Sequence, residues 1–155
     1  MTACEFSFRQ VSIDDTERLV ELMVAMQTEL GDSNELLAES LRAYFARALA
    51  GGTFHAYVAC RGDRIVASSG MVIDHHPPSG GTLDGRYAYI MNMYTVPEER
   101  GRGLATGLLE RLLDDARQLQ IASVVLHAMP KGRSIYLKAG FIPSNSEMRL
   151  RLHGS

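Results

Sequence analysis

Several large classes of protein are excluded by what this chain lacks. Only two cysteines, Cys4 and Cys60, occur in 155 residues, too few for a disulfide framework, so both are expected as reduced thiols. No apolar run approaches the roughly 20 residues that cross a bilayer. The N-terminus, MTACEFSFRQ, lacks the charged-then-apolar layout of a secretory signal. A cytoplasmic protein with no membrane partner is therefore expected. Basic residues are not in excess: Lys and Arg number 16 against 18 Asp and Glu, for a net charge of -2. The basic face of a dedicated nucleic-acid binder is absent from that balance. The five histidines and two cysteines show no zinc spacing, and no metal is expected. Internal repeats and low-complexity tracts are also missing.

Two phosphate-binding signatures are missing as well. A Walker loop requires Gly-Lys-Ser/Thr, which occurs nowhere in the chain. A dinucleotide fingerprint requires Gly-x-Gly-x-x-Gly; counted from Gly101, its sixth position is Thr106.

What is present is an ordinary globular composition, 46% hydrophobic and 22% charged. The length is most economically one domain over residues 1–155. FSFRQV (6–11) alternates like a half-buried strand. Ser12 and Asp14 can cap a helix carrying Leu19, Leu22, Met23, Met26 and Leu30 at helical spacing. A second helix sets Leu37, Leu41, Tyr44, Phe45 and Leu49 on one stripe and ends at Gly51-Gly52. TFHAYVAC and RIVASSGMVI flank RGD as a hairpin. The loop DHHPPSGGTLDGR precedes a strand, YAYIMNMYTV. A leucine-rich helix follows, then the strand IASVVLHA, a short helix around Ser134 to Ala139, and GFIPSNSEMRLRL as strand, turn and strand. The order β-α-α-β-β-β-α-β-α-β-β is mixed α/β (α+β), with a mostly antiparallel twisted sheet and one right-handed β-α-β crossover.

Between the second-half strand and its helix stands PEERGRGLATGLL (97–109). The first N–H groups of a helix have no intrahelical partner, and the helix dipole adds partial positive charge there. Gly101 and Gly103 carry no side chain to block an anion. The amides of Gly101, Gly103, Ala105 and Thr106, with Leu104 among them and Arg102 adding charge, form a candidate phosphate site.

Arg100-x-x-Gly103-x-Ala105 resembles the Gln/Arg-x-x-Gly-x-Gly/Ala signature of the GCN5-related N-acetyltransferases (GNAT). NMYTVPEERGRGLATGLL is similar to the strand, Val-x-Pro and helix of that family, and SIYLKAGFIP to its last conserved segment. The order of elements matches over essentially the whole chain. The resemblance implies a GNAT-like acyl-CoA N-acyltransferase fold, acetyl-CoA as cosubstrate, and an acetyl group passed to a primary amine by direct attack. It implies that Arg100 and the turn grip the coenzyme pyrophosphate. The backbone of Met93, Tyr94, Thr95 and Val96 would hold the pantetheine arm beside a diverging IASVVLHA strand. Tyr136 would be the proton donor. Where the family often has asparagine and alanine this chain has Met129 and Gly132, so the pantetheine contact is expected from Met129 or Ser134.

The base is open, because no acid lies between Arg86 and Val96. Candidates are Asn92, positioning a water, Tyr89, His127, and Asp74, His75 and His76. In relatives the first two helices wall the acceptor pocket; here their connection carries Glu29, Asp32 and Glu35, which could attract a cationic amine, while Met23 and Met26 could line that pocket. The acceptor, small molecule or peptide, is unspecified. A homodimer through the last strands and the hairpin is compatible with the pattern. The competing reading is a non-catalytic acyl-CoA sensor or regulatory module.

Overall fold

The computed structural model describes residues 5–144 and 146–153; Cys4 lies outside them, and Cys60 is a buried free thiol. Five of the segments read as strands become β1 (Phe6–Gln10), β2 (His55–Arg61), β3 (Arg64–His75), β4 (Arg86–Thr95) and β5 (Ser123–Leu126). They form one sheet in the order β1-β2-β3-β4-β5. The first four pair antiparallel, and β5 pairs parallel to β4. A parallel pair cannot be closed by a tight turn, and α3 (Leu104–Gln118) makes the crossover.

The helical stripes decide which face each helix covers. Leu19, Leu22 and Met23 of α1 (Thr16–Glu29) and Phe45 of α2 (Leu37–Gly51) are at most 2% exposed. On the other face Leu109 and Leu112 of α3 pack with Ala88 and Ile90 of β4 and Met71 of β3. Each such leucine stabilises the fold by about 1.5–3 kcal/mol relative to exposure. The N-terminal signal before α1 works through Asp15 rather than Asp14. Asp15 accepts the Ser12 N–H at 2.8 Å and a two-pronged Arg9 contact at 2.7 and 3.0 Å.

Two irregularities position the site. The β3–β4 register shifts between Ser68, opposite Tyr94, and Gly70, opposite Met91. One extra residue of β4 is accommodated there by Asn92, whose φ of 59° is left-handed. Asparagine tolerates that conformation better than other non-glycine residues, and such a bulge re-aims the strand. The second is the short β4–β5 ladder, which runs only from Tyr87–Ser123 to Ile90–Leu126 while β4 continues to Thr95. Residues 91–95 therefore have no partner strand on the β5 side among the described residues.

The two closing strands expected from GFIPSNSEMRLRL do not form among the described residues. After α4 (Arg133–Lys138) the chain is irregular, with Ile142, Met148, Leu150 and Leu152 88%, 95%, 81% and 78% exposed. Alternation at Met148, Leu150 and Leu152 is strand patterning, but a strand needs a partner ladder, and none pairs with the described residues of this segment. The mixed α/β reading, the antiparallel majority and the crossover all hold.

Candidate active site

Where β4 and β5 part, a cleft of about 650 Å³ opens, within the size range of small-molecule sites. Its floor is the unpaired side of β4, including Met91, Asn92, Met93, Tyr94 and Thr95. Its upper wall is the start of α3, where Arg100, Gly101, Gly103, Leu104, Ala105 and Thr106 all line it. Gly101 and Gly103 have φ of 76° and 79°, and a Cβ built on either would meet nothing within 4 Å. The glycines thus supply both a left-handed turn and open space above the first helical amides. A phosphorylated ligand fits such a cradle.

The arginines of the turn are already engaged. Arg100 donates Nε–H to the Thr95 carbonyl at 2.9 Å and grips both oxygens of Glu29 on α1 at 2.9 Å. Tyr94 also donates to Glu29 at 2.8 Å. These bonds hold the Glu29 carboxyl below its ordinary pKa, the Tyr94 hydroxyl acting most strongly and Arg100 next. Glu29 therefore joins α1 to the turn and is no free magnet for an amine; Asp32 and Glu35 lie off the cleft wall.

Arg102 pairs with Glu99 at 3.0 Å and is not on the wall, contrary to the expectation that it faces the ligand. Glu99, on the short 3-10 turn Pro97–Glu99, is only 5% exposed and receives Arg61 through two bonds of 2.6 Å. Arg61 lowers the Glu99 pKa below its ordinary 4.5, overcoming the opposing effect of burial. A carboxyl depressed by folding stabilises fully above its unfolded pKa and loses that contribution as pH falls through the folded value. Glu99→Gln should therefore lower the melting temperature at neutral pH. The gap to the parent protein should close as pH drops below 4.5. Thermal unfolding across a pH series measures this, and a gap independent of pH contradicts it.

Two further expected contacts lie off the cleft. Val96 is 7% exposed in the core and its N–H bonds to the Val66 carbonyl at 2.9 Å. Ser134 does not line the cleft; Gly132, Ile135 and Tyr136 of the same segment do, together with Met129. Met23 is core, whereas Met26 lines the cleft.

Tyr136 stands on the α3 side, packed with that face of the core and edge-on to Phe141 at 5.9 Å between ring centroids. Burial raises its phenol above the ordinary 10.0, so it is protonated at neutral pH. Asn92 lines the cleft and also a cavity of about 10 Å³ beside Ser68. Ser68 Oγ is the buried side-chain oxygen without a partner among the described residues, and such a volume suits at most one water. Tyr89 and His127 are brought together: the Tyr89 hydroxyl bonds to His127 Nδ1, and both line the cleft. Asp74, His75 and His76 are not on its wall. Sequence reasoning missed Gln27, Leu30, Lys131 and Arg149, which also line it. They come from three separate segments, and no local spacing marks them. Among the described residues no group of three or more His, Cys, Asp or Glu is placed to hold a metal ion, and no helix is long and apolar enough to cross a membrane.

Residues 18–141 match the family described as the acetyltransferase (GNAT) family. A probable glucosamine 6-phosphate N-acetyltransferase 2 of Oryza sativa subsp. japonica is 26% identical, over 96% of this chain and 89% of the relative. Among solved structures, a predicted acetyltransferase from Clostridium acetobutylicum with acetyl-CoA is 30% identical at a TM-score of 0.89, covering 96% of this chain and 97% of that one. A GCN5-related N-acetyltransferase from Ralstonia eutropha is 29% identical at a TM-score of 0.88, covering 97% and 100%. With a family match over most of its length and neighbours of that family along both whole chains, the protein belongs to the GNAT family and is an acetyl-CoA-dependent acetyltransferase.

Proposed function

We propose that this cleft transfers the acetyl group directly from acetyl-CoA to a primary amine, with both substrates bound together. The observation that carries the reading is the pair of left-handed glycines, Gly101 and Gly103, opening the amide-rich start of α3 onto the parted strands. Acetyl-CoA supplies the activated acetyl group. The amides of the α3 turn hold its pyrophosphate, with Arg100 fixing the turn to Glu29 rather than meeting the anion alone. The unpaired side of β4 at residues 91–95 receives the pantetheine arm, and its N–H groups polarise the thioester carbonyl. Preorganised backbone donors of this kind are usually the largest electrostatic contribution to acyl transfer. Tyr136, on the α3 side, protonates the departing sulfur. The bulge at Asn92 aims β4 at the reacting carbonyl.

The acceptor class follows the charges that remain on the wall. With Glu29 held by Tyr94 and Arg100, the cationic side chains on the wall beyond Arg100 are Lys131 and Arg149, the latter shared with Glu147 at 2.6 Å. That set favours an amine that also carries an anion, such as an amino-sugar phosphate, the acceptor class that the name of the rice relative gives. Coenzyme A release should be measured with glucosamine 6-phosphate, glucosamine, a polyamine and a peptide N-terminus. The expected result is turnover with the phosphorylated amino sugar and at least tenfold lower kcat/KM for glucosamine. Equal rates with and without the phosphate would overturn the anionic acceptor. Tight acetyl-CoA binding without release for any amine would favour a sensor instead.

A further inference from the structure

Tyr89, His127 and Glu147 come from β4, the residue after β5, and the irregular segment after α4. No local pattern unites them, yet they form a continuous chain of contacts. The Tyr89 hydroxyl meets His127 Nδ1, and His127 Nε2 meets a Glu147 carboxylate oxygen. The two rings lie 5.5 Å apart between centroids. Ala88 and Ile90 turn towards α3, so alternation sends Tyr89 to the opposite face, that of α1 and α2. Tyr136 sits on the α3 side. The cleft therefore has phenols on both sides of the sheet, Tyr89 and Tyr94 on the α1 side and Tyr136 on the α3 side.

We infer that Tyr89, His127 and Glu147 are a proton relay that deprotonates the incoming ammonium, an inference that rests on the acetyl-transfer reading above. Histidine is the side chain suited to such a task at neutral pH. With Nε2–H donated to Glu147, Nδ1 is the free acceptor for the Tyr89 proton. As an N–H bond of the ammonium breaks, its proton passes to Tyr89 Oη and the phenolic proton passes to His127 Nδ1. The nitrogen lone pair then forms the C–N bond as the C–S bond breaks. The second proton leaves nitrogen for solvent, Tyr136 regains from solvent the proton it gave to sulfur, and the imidazolium returns its proton to solvent, a net release of one proton. Tyr89 is the catalytic residue that touches the amine, His127 stores the proton, and Glu147 is a positioning residue for the imidazole.

The charged and titratable groups around the relay are consistent with this direction of transfer. Arg149 binds Glu147 at 2.6 Å and lines the same cleft, as does Lys131. Asp74, at the end of β3, and Glu147 both act on Tyr89, with burial the larger influence, and raise its phenol above the ordinary value while Arg149 opposes them. Tyr89 is thus protonated at neutral pH and passes a proton through rather than keeping one.

The test compares the parent protein with Tyr89→Phe, His127→Gln and Glu147→Gln in coenzyme A release, using the best amine, from neutral pH towards the alkyl amine pKa of about 10.4. Calorimetry with acetyl-CoA confirms that each variant still binds. Tyr89→Phe and His127→Gln should lose on the order of 10²-fold in kcat/KM for the amine at neutral pH. The loss should shrink as rising pH supplies free amine without help. Glu147→Gln should lose less and show the same pH recovery. A loss that is constant with pH, or no loss, overturns the relay. In the resting protein, ¹⁵N NMR should place the proton of neutral His127 on Nε2, leaving Nδ1 bare. A proton on Nδ1 overturns the relay whatever the turnover. Failure of the parent protein to acetylate any amine would instead strike the transfer reading, on which the tautomer measurement does not depend.

Discussion

Tyr136→Phe should lower kcat by about 10²–10⁴-fold, the usual contribution of a positioned proton donor, while the affinity for acetyl-CoA should stay within a few fold. The split follows from what the ring and the hydroxyl each do. The ring packs edge-on to Phe141 and rests beside Gly132, where a built Cβ would approach it at 3.4 Å. Phenylalanine keeps those contacts, so neither α4 nor the cleft wall should move. Only the hydroxyl is removed, and with it the proton donor we propose on the α3 side.

The phenol lies above the ordinary 10.0 because burial disfavours the phenolate. The donor is therefore fully protonated from neutral pH to about 9, and the loss in kcat should be flat across that range. This distinguishes Tyr136 from Tyr89, whose removal should cost less as pH rises. Steady-state kinetics at several pH values with both substrates varied, and calorimetry for acetyl-CoA, make the measurement. A kcat within twofold to threefold of the parent value removes Tyr136 from the mechanism. An equal loss in acetyl-CoA affinity makes it a wall residue only.

Most of the fold was legible because its determinants are local. Period-2 alternation marked β1, and the hairpin pattern around RGD marked β2 and β3. Of the aligned leucines of α3, Leu104, Leu108 and Leu112 are 3%, 0% and 0% exposed, while Leu119 just past its end is 38% exposed. The turn was legible for the same reason, since two left-handed glycines before a helix are a local device. What could not be read depends on contacts across the chain. Glu29 and Arg100 lie 71 residues apart, so nothing in either segment shows that one consumes the other. Asn92 was visible as a polar residue in an apolar strand, but the extra residue of the bulge appears only against Ser69 of β3. The last segment shows the opposite failure. Met148, Leu150 and Leu152 alternate as a strand should, and patterning cannot say whether a partner edge is offered. In the sequence His127 is one candidate base among several, and nothing local joins it to Tyr89 and Glu147, which meet it from two other elements.

Gly103→Val should weaken acetyl-CoA binding by about 10²–10⁴-fold, while Gly107→Val, four residues on, should leave the affinity of the folded protein nearly unchanged. Both glycines belong to RGRGLATGLL, and only the surroundings of each separate them. At Gly103 a new Cβ meets nothing within 4 Å, so the space it takes belongs to the cleft. The residue also sits at φ 79°, where an L side chain costs about 1–2 kcal/mol. Valine there pushes the turn towards a right-handed backbone and shades the first amides of α3. Each hydrogen bond to a charged group contributes about 1.5–3 kcal/mol, and losing two of them gives the stated range at 1.4 kcal/mol per tenfold. At Gly107 a Cβ would lie 2.5 Å from the Phe8 ring, against which Arg111 also stacks at 4.0 Å. That glycine lets α3 approach β1, and overpacking it costs about 1–3 kcal/mol of stability. Calorimetry with acetyl-CoA and thermal unfolding of both variants read the two effects separately. Equal losses of affinity would move the pyrophosphate away from the turn. If Gly103→Val bound acetyl-CoA as tightly as the parent protein, the open space above Gly103 would not be where the coenzyme lies.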